Sequence, residues 1–346
     1  VKKYLNIDKE IDSEISLFLD SKIKSSPNKF SKELLLTAKE LFLRGGKRSR
    51  PRLFFLTLEA YGLDNPVRYI KLALALEFYH QFLLIHDDII DKDHIRYNGP
   101  NISGHYIQDY QNKDKTIPDS MALLAGDIVY SYVYEIISSD TNLTSSQKID
   151  ITKLFSYINE SVVFGQQMDT LNVDSLNSLV NVEQLIEIHR LKTASYSIML
   201  PMRLAGIILN LEAKEIEAIN KFSQSFGIYY QLADDYSDYF ENKSAFNNRE
   251  KYRDYKEGRR TCPIIFGLES ARGEDFNIIK KNFGNKKSTA KDISSTIKIL
   301  KKYEANKKSK ELADFYYNES LNSLNALSIE GLNKNKYKSL MSNFGL

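Results

Sequence analysis

The chain is 346 residues long, 42% hydrophobic and 27% charged, with a net charge of +3. Length alone allows one large domain or two, and the lysines and arginines are scattered rather than massed on one stripe, so the charge gives no nucleic-acid footprint. A single cysteine, Cys262, excludes an intrachain disulfide or a cysteine-cluster zinc site and suits a reducing cytosol.

Helical periodicity recurs almost everywhere and strand alternation almost nowhere, and only seven prolines and fifteen glycines interrupt it. Ile7, Ile11, Ile15 and Phe18 form one amphipathic stripe. Pro51 stands where a helix begins and Gly62 where it stops. Residues 66–92 read as a central helix, apolar nearly all round and therefore buried. Residues 98–120 read as a loop. Further helical runs cover about 120–138, 147–172, 181–198, 202–209 and 212–241. No apolar run approaches membrane-spanning length; the best, 197–209, carries Arg203. Segment 242–260 is polar and basic, a loop placed to close over an anion. The rest is amphipathic helix rich in Lys, Asn and Ser. No Gly/Ser or Pro-rich tract marks a linker, and no fixed short period marks a repeat. The first residues lack the basic-then-apolar layout of a signal peptide, so a soluble, cytoplasmic protein with no transmembrane segment is expected.

Two aspartate clusters share one pattern, Asp87-Asp88-Ile89-Ile90-Asp91 and Asp234-Asp235-Tyr236-Ser237-Asp238. Each ends an apolar helical run. Residues four apart share a helix face, so Asp87 with Asp91, and Asp234 with Asp238, each present two carboxylates on one side. Aspartates also cap helices and make solvated faces. Charges attached to buried helices, however, face a cleft, pair, or bind metal. Paired hard oxygens with room for water and phosphate suit magnesium. If the two helices face each other, six carboxylates converge, and their repulsion calls for cations and a bridging anion such as a diphosphate.

Basic groups complete the pattern. Arg44-Gly45-Gly46-Lys47-Arg48-Ser49-Arg50-Pro51 places cations beside two glycines at a helix start, where unpaired amides and the helix dipole favour an anion. The bland alternative is a basic turn. His80, Leu83, Asp87 and Asp91 fall on one helical stripe. Gln231 lies one turn before Asp234. Lys192 and Thr193 are polar groups inside an apolar helix, and Arg96, Arg249 and Arg259 follow the two clusters.

With these residues in view, the chain resembles the trans-isoprenyl diphosphate synthases over about residues 40–265. Seven pieces occur in the family's order: 45–51 (GGKRSRP), 80–91 (HQFLLIHDDIID), 125–127 (AGD), 165–169 (GQQMD), 192–193 (KT), 230–238 (YQLADDYSD) and 257–263 (EGRRTCP). The resemblance implies an all-α, single-domain bundle of long helices around a deep central cavity, spanning 1–346 and usually homodimeric. It implies that Lys47, Arg50 and His80 hold the diphosphate of isopentenyl diphosphate. It makes Asp87, Asp91 and Asp234 the main magnesium ligands, with Asp88 and Asp238 supporting and three ions expected when substrate is bound. Arg96, Lys192, Thr193 and Gln231 match contacts to the allylic diphosphate and the cation formed from it. Arg249 and Arg259 align with two family lysines; the alignment at Arg249 needs a one-residue shift, which makes Lys251 a competing candidate. The family has two arginines and a glycine after the first cluster, where this chain has Arg96, Tyr97 and Asn98, so one expected contact to isopentenyl diphosphate is replaced.

The implied reaction is magnesium-dependent, head-to-tail condensation of isopentenyl diphosphate with an allylic diphosphate. Apolar helix walls would keep water from the allylic cation, and Lys192, Thr193 and Gln231 would stabilise it. In the family, bulky residues just before the first cluster shorten the product. Tyr79, Phe82 and Leu83 occupy that stretch and point to a short product, geranylgeranyl diphosphate ahead of farnesyl diphosphate. The rival readings are a class I terpene cyclase, a non-catalytic synthase-like subunit and a plain helical scaffold. The GGKRSRP segment, His80 and an intact second cluster favour the synthase.

Overall fold

The computed structural model describes residues 2–110, 114, 116–172, 181–241 and 251–343. It is all-α apart from one two-residue hairpin, and it divides into two compact units, 1–153 and 154–346.

The first unit opens with α1 (Lys2–Lys24), whose buried stripe is Ile7, Ile11, Ile15, Leu19 and Ile23. The four-residue spacing continues through Leu19, while the neighbouring Phe18 turns sideways onto Phe78 and Tyr132. Burying each such side chain is worth roughly 1.5–3 kcal/mol, so the stripe fixes α1 to the unit. Helix α2 (Lys29–Leu43) is capped by Asn28, whose side chain accepts from the Phe30 and Ser31 amides. Helix α3 (Ser49–Ala60) has Pro51 in its first turn and stops just before Gly62, whose φ of 87° no other residue adopts cheaply. A 3₁₀ turn (Pro66–Tyr69) leads into α4 (Ile70–Asp91), buried nearly all round as its sequence predicts.

Residues 98–120 are not one loop. Ile95–Arg96 (β1) pairs antiparallel with Gly99–Pro100 (β2). The two residues between them, Tyr97 and Asn98, both have left-handed φ, the geometry of a tight hairpin turn. Helix α5 (Ile102–Tyr110) follows. Its weak periodicity across Ser103, Gly104 and Gln108 hid it; its buried face, Ile102 and Tyr106, forms only once it packs on α2 and α6 (Ile117–Ser139).

Helix α6 corrects a second expectation. It is long and apolar enough, by length and composition, to cross a membrane. Gly126, Asp127 and several tyrosines break up its apolar run. Its apolar residues Ala122, Ala125, Val129, Val133, Ile136 and Ile137 are buried on its packed face, and it lies against α4. Helix α7 (Ser145–Asn172) starts in the first unit and ends in the second.

In the second unit, α8 (Val182–Ile188) begins with a capping box between Asn181 and Gln184. It continues without a break into a π-helical stretch, His189–Met199, and then α9 (Leu200–Ile208), so the two runs read at 181–198 and 202–209 are one helix. π-Helix is rare and clusters at functional sites. Helix α10 (Ala213–Phe240) packs against this stretch and against α15. The remaining helices are α11 (Arg253–Glu257), α12 (Cys262–Ser270), α13 (Gly273–Asn282), α14 (Ala290–Lys302), α15 (Ala305–Ala326) and α16 (Gly331–Asn343). The segment read as a loop over 242–260 therefore contains α11, while 242–250 lies outside the described residues.

Candidate active site

In the first unit, the basic segment is held by its own arginines. Arg48 has φ 47° and turns back under the loop, donating to Phe42 O (2.8 Å), Asp12 (2.7 Å) and Glu77 (2.5 Å). It is buried and structural, whereas its neighbours Lys47 and Arg50 are exposed and half-buried. Arg44 pins the hairpin to α2 by donating to Arg96 O and Pro100 O. Gly99 leaves room for this contact: a Cβ would sit 2.7 Å from the Arg44 guanidinium, which would have to shift. The Tyr97 ring, standing where an arginine was expected, lies against Gly45.

His80 shares this neighbourhood. Burial holds its pKa well below the usual value, and Arg50, Arg96 and Arg48 push it further down. Two of these guanidiniums already have carboxylate partners, Arg48 with Glu77 and Asp12 and Arg96 with Asp88. Asp87 and Asp91 are half-buried one helical turn apart at the end of α4, on the face of His80. Asp88 differs. It is 2% exposed, and the Arg96 Nε donates to both its oxygens at 2.9 and 3.1 Å. Burial raises its pKa, and the Arg96 pair works against that. Arg96 also lies 3.9 Å from Asp87, so Asp88 acts as the strut that aims Arg96 along the Asp87–Asp91 face.

In the second unit, two predicted residues, Thr193 and Gln231, connect with Asp235 of the second cluster in one chain of hydrogen bonds. Thr193 Oγ1 donates to Gln231 Oε1 (3.3 Å), and Gln231 Nε2 donates to Asp235 Oδ1 (3.2 Å). The buried His189 Nε2 lies 3.5 Å from the other Asp235 oxygen. Asp234 remains half-buried on the neighbouring face. Asp238 Oδ1 accepts the Tyr252 N–H at 2.8 Å. Burial pushes the Asp238 pKa up to about 6; the Tyr252 bond opposes this, and Asp254 and Asp235 add to it.

Lys192 and Arg259 meet at a residue that the sequence reading did not single out. Asp169 Oδ2 lies 2.6 Å from Lys192 Nζ and 3.3 Å from Arg259 Nη1. Its place in the GQQMD segment, one of the seven pieces in the family's order, was the available signal. Two glycines seat the π-helical stretch that carries Lys192 and Thr193. A Cβ on Gly165 would come 2.5 Å from the Lys192 amide, and one on Gly227 would come 2.3 Å from Ala194 Cβ. Lys251 donates to Glu241 O at 2.6 Å and lies over the Tyr252 ring. Its competitor Arg249 lies outside the described residues.

The chain-length candidates lie on α4. Tyr79 is fully buried, Phe82 is 7% exposed and Leu83 is half-buried. Among the described residues, no three His, Cys, Asp or Glu side chains group closely enough to hold a metal by themselves. Each cluster offers paired carboxylates, a donor set that fits magnesium only when water and substrate phosphate supply the other positions.

The polyprenyl synthetase family model matches residues 31–300. A geranylgeranyl diphosphate synthase of Sulfolobus acidocaldarius is 27% identical over 291 residues, which cover 83% of this chain and 82% of the relative. A short chain isoprenyl diphosphate synthase of Methanocaldococcus jannaschii is 27% identical, covering 86% of this chain and 82% of the relative. The crystal structure of geranylgeranyl pyrophosphate synthase from Corynebacterium glutamicum, complexed with isoprenyl diphosphate and magnesium, superposes with a TM-score of 0.88 at 22% identity, covering 98% of each chain.

Proposed function

Since the chain belongs to the polyprenyl synthetase family and is a prenyltransferase of that family, we propose that it joins isopentenyl diphosphate to an allylic diphosphate head to tail, forming geranylgeranyl diphosphate. Farnesyl diphosphate is the alternative product, since a farnesyl diphosphate synthase of Micrococcus luteus is 29% identical over 232 residues. The observation that carries the reading is the presence of two separate cationic groups, each with its own aspartate motif in the same unit. His80 with its arginines accompanies Asp87 and Asp91; Lys192 and Arg259 around Asp169 accompany Asp234 and Asp238. Two anion sites suit a condensation of two diphosphates, whereas a cyclase needs one.

In this reading Lys47, Arg50 and His80 hold isopentenyl diphosphate with its double bond toward the allylic carbon, a proximity effect. Arg96, Lys192 and Arg259 draw charge from the departing diphosphate, with Arg249 or Lys251 assisting. Magnesium, when bound by Asp87, Asp91 and Asp234 with support from Asp88 and Asp238, supplies further neutralisation of the leaving group; three ions are expected with substrate. Thr193 and Gln231 present their dipoles to the allylic cation. Proton loss to the released diphosphate then completes a product one isoprene unit longer. We read residues 1–346 as one catalytic domain working as a cytosolic homodimer; Leu123 and Leu124, exposed on α6, favour a partner surface there.

The test is incubation with magnesium, labelled isopentenyl diphosphate and each allylic primer in turn, followed by product sizing. Asp87→Asn and Asp234→Asn should each lower kcat by about 10²–10³-fold, as loss of a group stabilising leaving-group charge does. No prenyl product with any primer would sink the proposal. A cyclic hydrocarbon, or activity only with a second, different chain, would favour the cyclase or the regulatory subunit. Sedimentation tests the homodimer.

A further inference from the structure

The π-helical stretch His189–Met199 packs against α10 in the opposite direction, and the polar contacts between them form a ladder. His189 stands opposite Asp235, with Nε2 and Oδ2 3.5 Å apart. Thr193, four residues on, stands opposite Gln231, four residues back, and Thr193 Oγ1 donates to Gln231 Oε1 at 3.3 Å. Just beyond this rung, Ala194 meets Gly227. Residues four apart share a helix face, and Gln231 Nε2 joins the two rungs by donating to Asp235 Oδ1 at 3.2 Å. His189 and Asp235 are 6% and 3% exposed. Neither His189 Nε2 nor Asp235 Oδ2 has a hydrogen-bond partner among the described residues, so the short gap between them is where each finds one.

We propose that His189 is a positioning residue: with its proton on Nε2 it donates to Asp235 Oδ2, and so fixes how Gln231 presents its amide at the reaction centre. The inference rests on the synthase reading above and adds a residue that holds neither diphosphate nor metal. A carboxylate only accepts hydrogen bonds, whereas a glutamine amide has one accepting and one donating end. Asp235 therefore selects the Nε2 end of Gln231 and leaves Oε1 toward Thr193. The orientation matters because the carbonyl end of the dipole is the one that favours a neighbouring cation. A buried carboxylate oxygen left unsatisfied is costly. Without the His189 N–H, Gln231 is the remaining donor to Asp235 among the described side chains, so the carboxylate rotates and the amide it held turns with it. His189 thus acts through two other side chains, and none of its atoms needs to touch substrate.

The experiment is steady-state kinetics with magnesium, isopentenyl diphosphate and an allylic primer, together with a thermal melt, for full-length wild type, His189→Leu, His189→Phe, His189→Gln, Gln231→Leu and the His189→Leu/Gln231→Leu double variant. His189→Phe fills the space of the imidazole if the leucine variant folds poorly, and His189→Gln keeps an N–H donor. The expected result is a kcat about 10–100-fold lower in both apolar variants, the usual loss for a supporting outer-shell contact, with both KM values nearly unchanged. His189→Gln should recover part of kcat, and the double variant should be no slower than Gln231→Leu alone. Unchanged kcat in both apolar variants, or equal losses in all three His189 variants, overturns the positioning role and leaves the synthase reading standing. Losses from His189→Leu and Gln231→Leu that simply multiply do the same. A wild-type protein that makes no prenyl product with any primer removes both.

Discussion

Arg48 and Glu77 form an ion pair shielded from solvent. Nη1 lies 2.5 Å from Oε2, and the residues are 4% and 2% exposed. The pair fastens the basic segment 44–51 to the middle of α4, three residues before His80. A cation and a carboxylate that carry no chemistry thereby set the distance between Lys47, Arg50 and His80.

Breaking that pair from one side leaves the buried Arg48 with Asp12 as its ionic partner and one donor without its acceptor. Glu77→Leu should destabilise the protein by about 1–3 kcal/mol, measured by denaturant titration. Because the loop loses its anchor, the KM for isopentenyl diphosphate should rise more than the KM for the allylic substrate. Equal rises in both would argue against an anchoring role.

Asp169 should behave as a hub. With Asp169→Asn, Lys192 and Arg259 lose the negative charge they share, and Arg259 keeps its ion pair with Glu257 at 3.0 Å. Steady-state kinetics should show kcat/KM for the allylic diphosphate falling by about 10²-fold, the scale of a mispositioned electrostatic group. The KM for isopentenyl diphosphate, whose proposed site is the group around His80, should hardly move.

The glycine seat at Gly227 gives a steric prediction. A methyl group there collides with Ala194, in the π-helical stretch beside Thr193. Gly227→Ala should cost about 1–3 kcal/mol, as overpacking does, and lower kcat because Lys192 and Thr193 shift. Ala194→Gly in the same chain should restore part of both. Absence of any rescue would show that the loss lies elsewhere.

His80 predicts a pH dependence of stability. Its folded pKa is depressed below 6.5 by burial and then by Arg50, Arg96 and Arg48. Below pH 6.5 the unfolded chain therefore binds more protons than the folded one, and stability falls as pH falls from that value toward the folded pKa. Thermal melts of wild type should lose more stability across this window than melts of His80→Asn. Added inorganic diphosphate should narrow the difference, because an anion at the cluster favours the imidazolium.

The proposed ligand residues were legible in the sequence because they lie close together along single helices. Asp87 with Asp91 and Asp234 with Asp238 follow from the helical period, as do the alignment of His80 with the first pair and of Gln231 with the second. Their supports were not. Asp88 reads as a third ligand until Arg96, eight residues on, folds back over it. Arg48 reads as one more substrate cation until it turns inward onto Asp12 and Glu77. Asp169 is separated from Lys192 and Arg259 by long stretches of chain, and no local pattern records that meeting.

The sequence by itself therefore determined the helices, the family and the two aspartate motifs, because helical periodicity and short motifs are local and repeat every three or four residues. Tertiary structure alone decided which charges, such as Arg48 and Asp88, are turned inward to hold the frame. It also turned part of an apparent loop into α5, and set His189 against Asp235 across two helices. Those outcomes depend on which side chains become buried together, and the desolvation that makes a charge seek a partner exists only once the chain has packed.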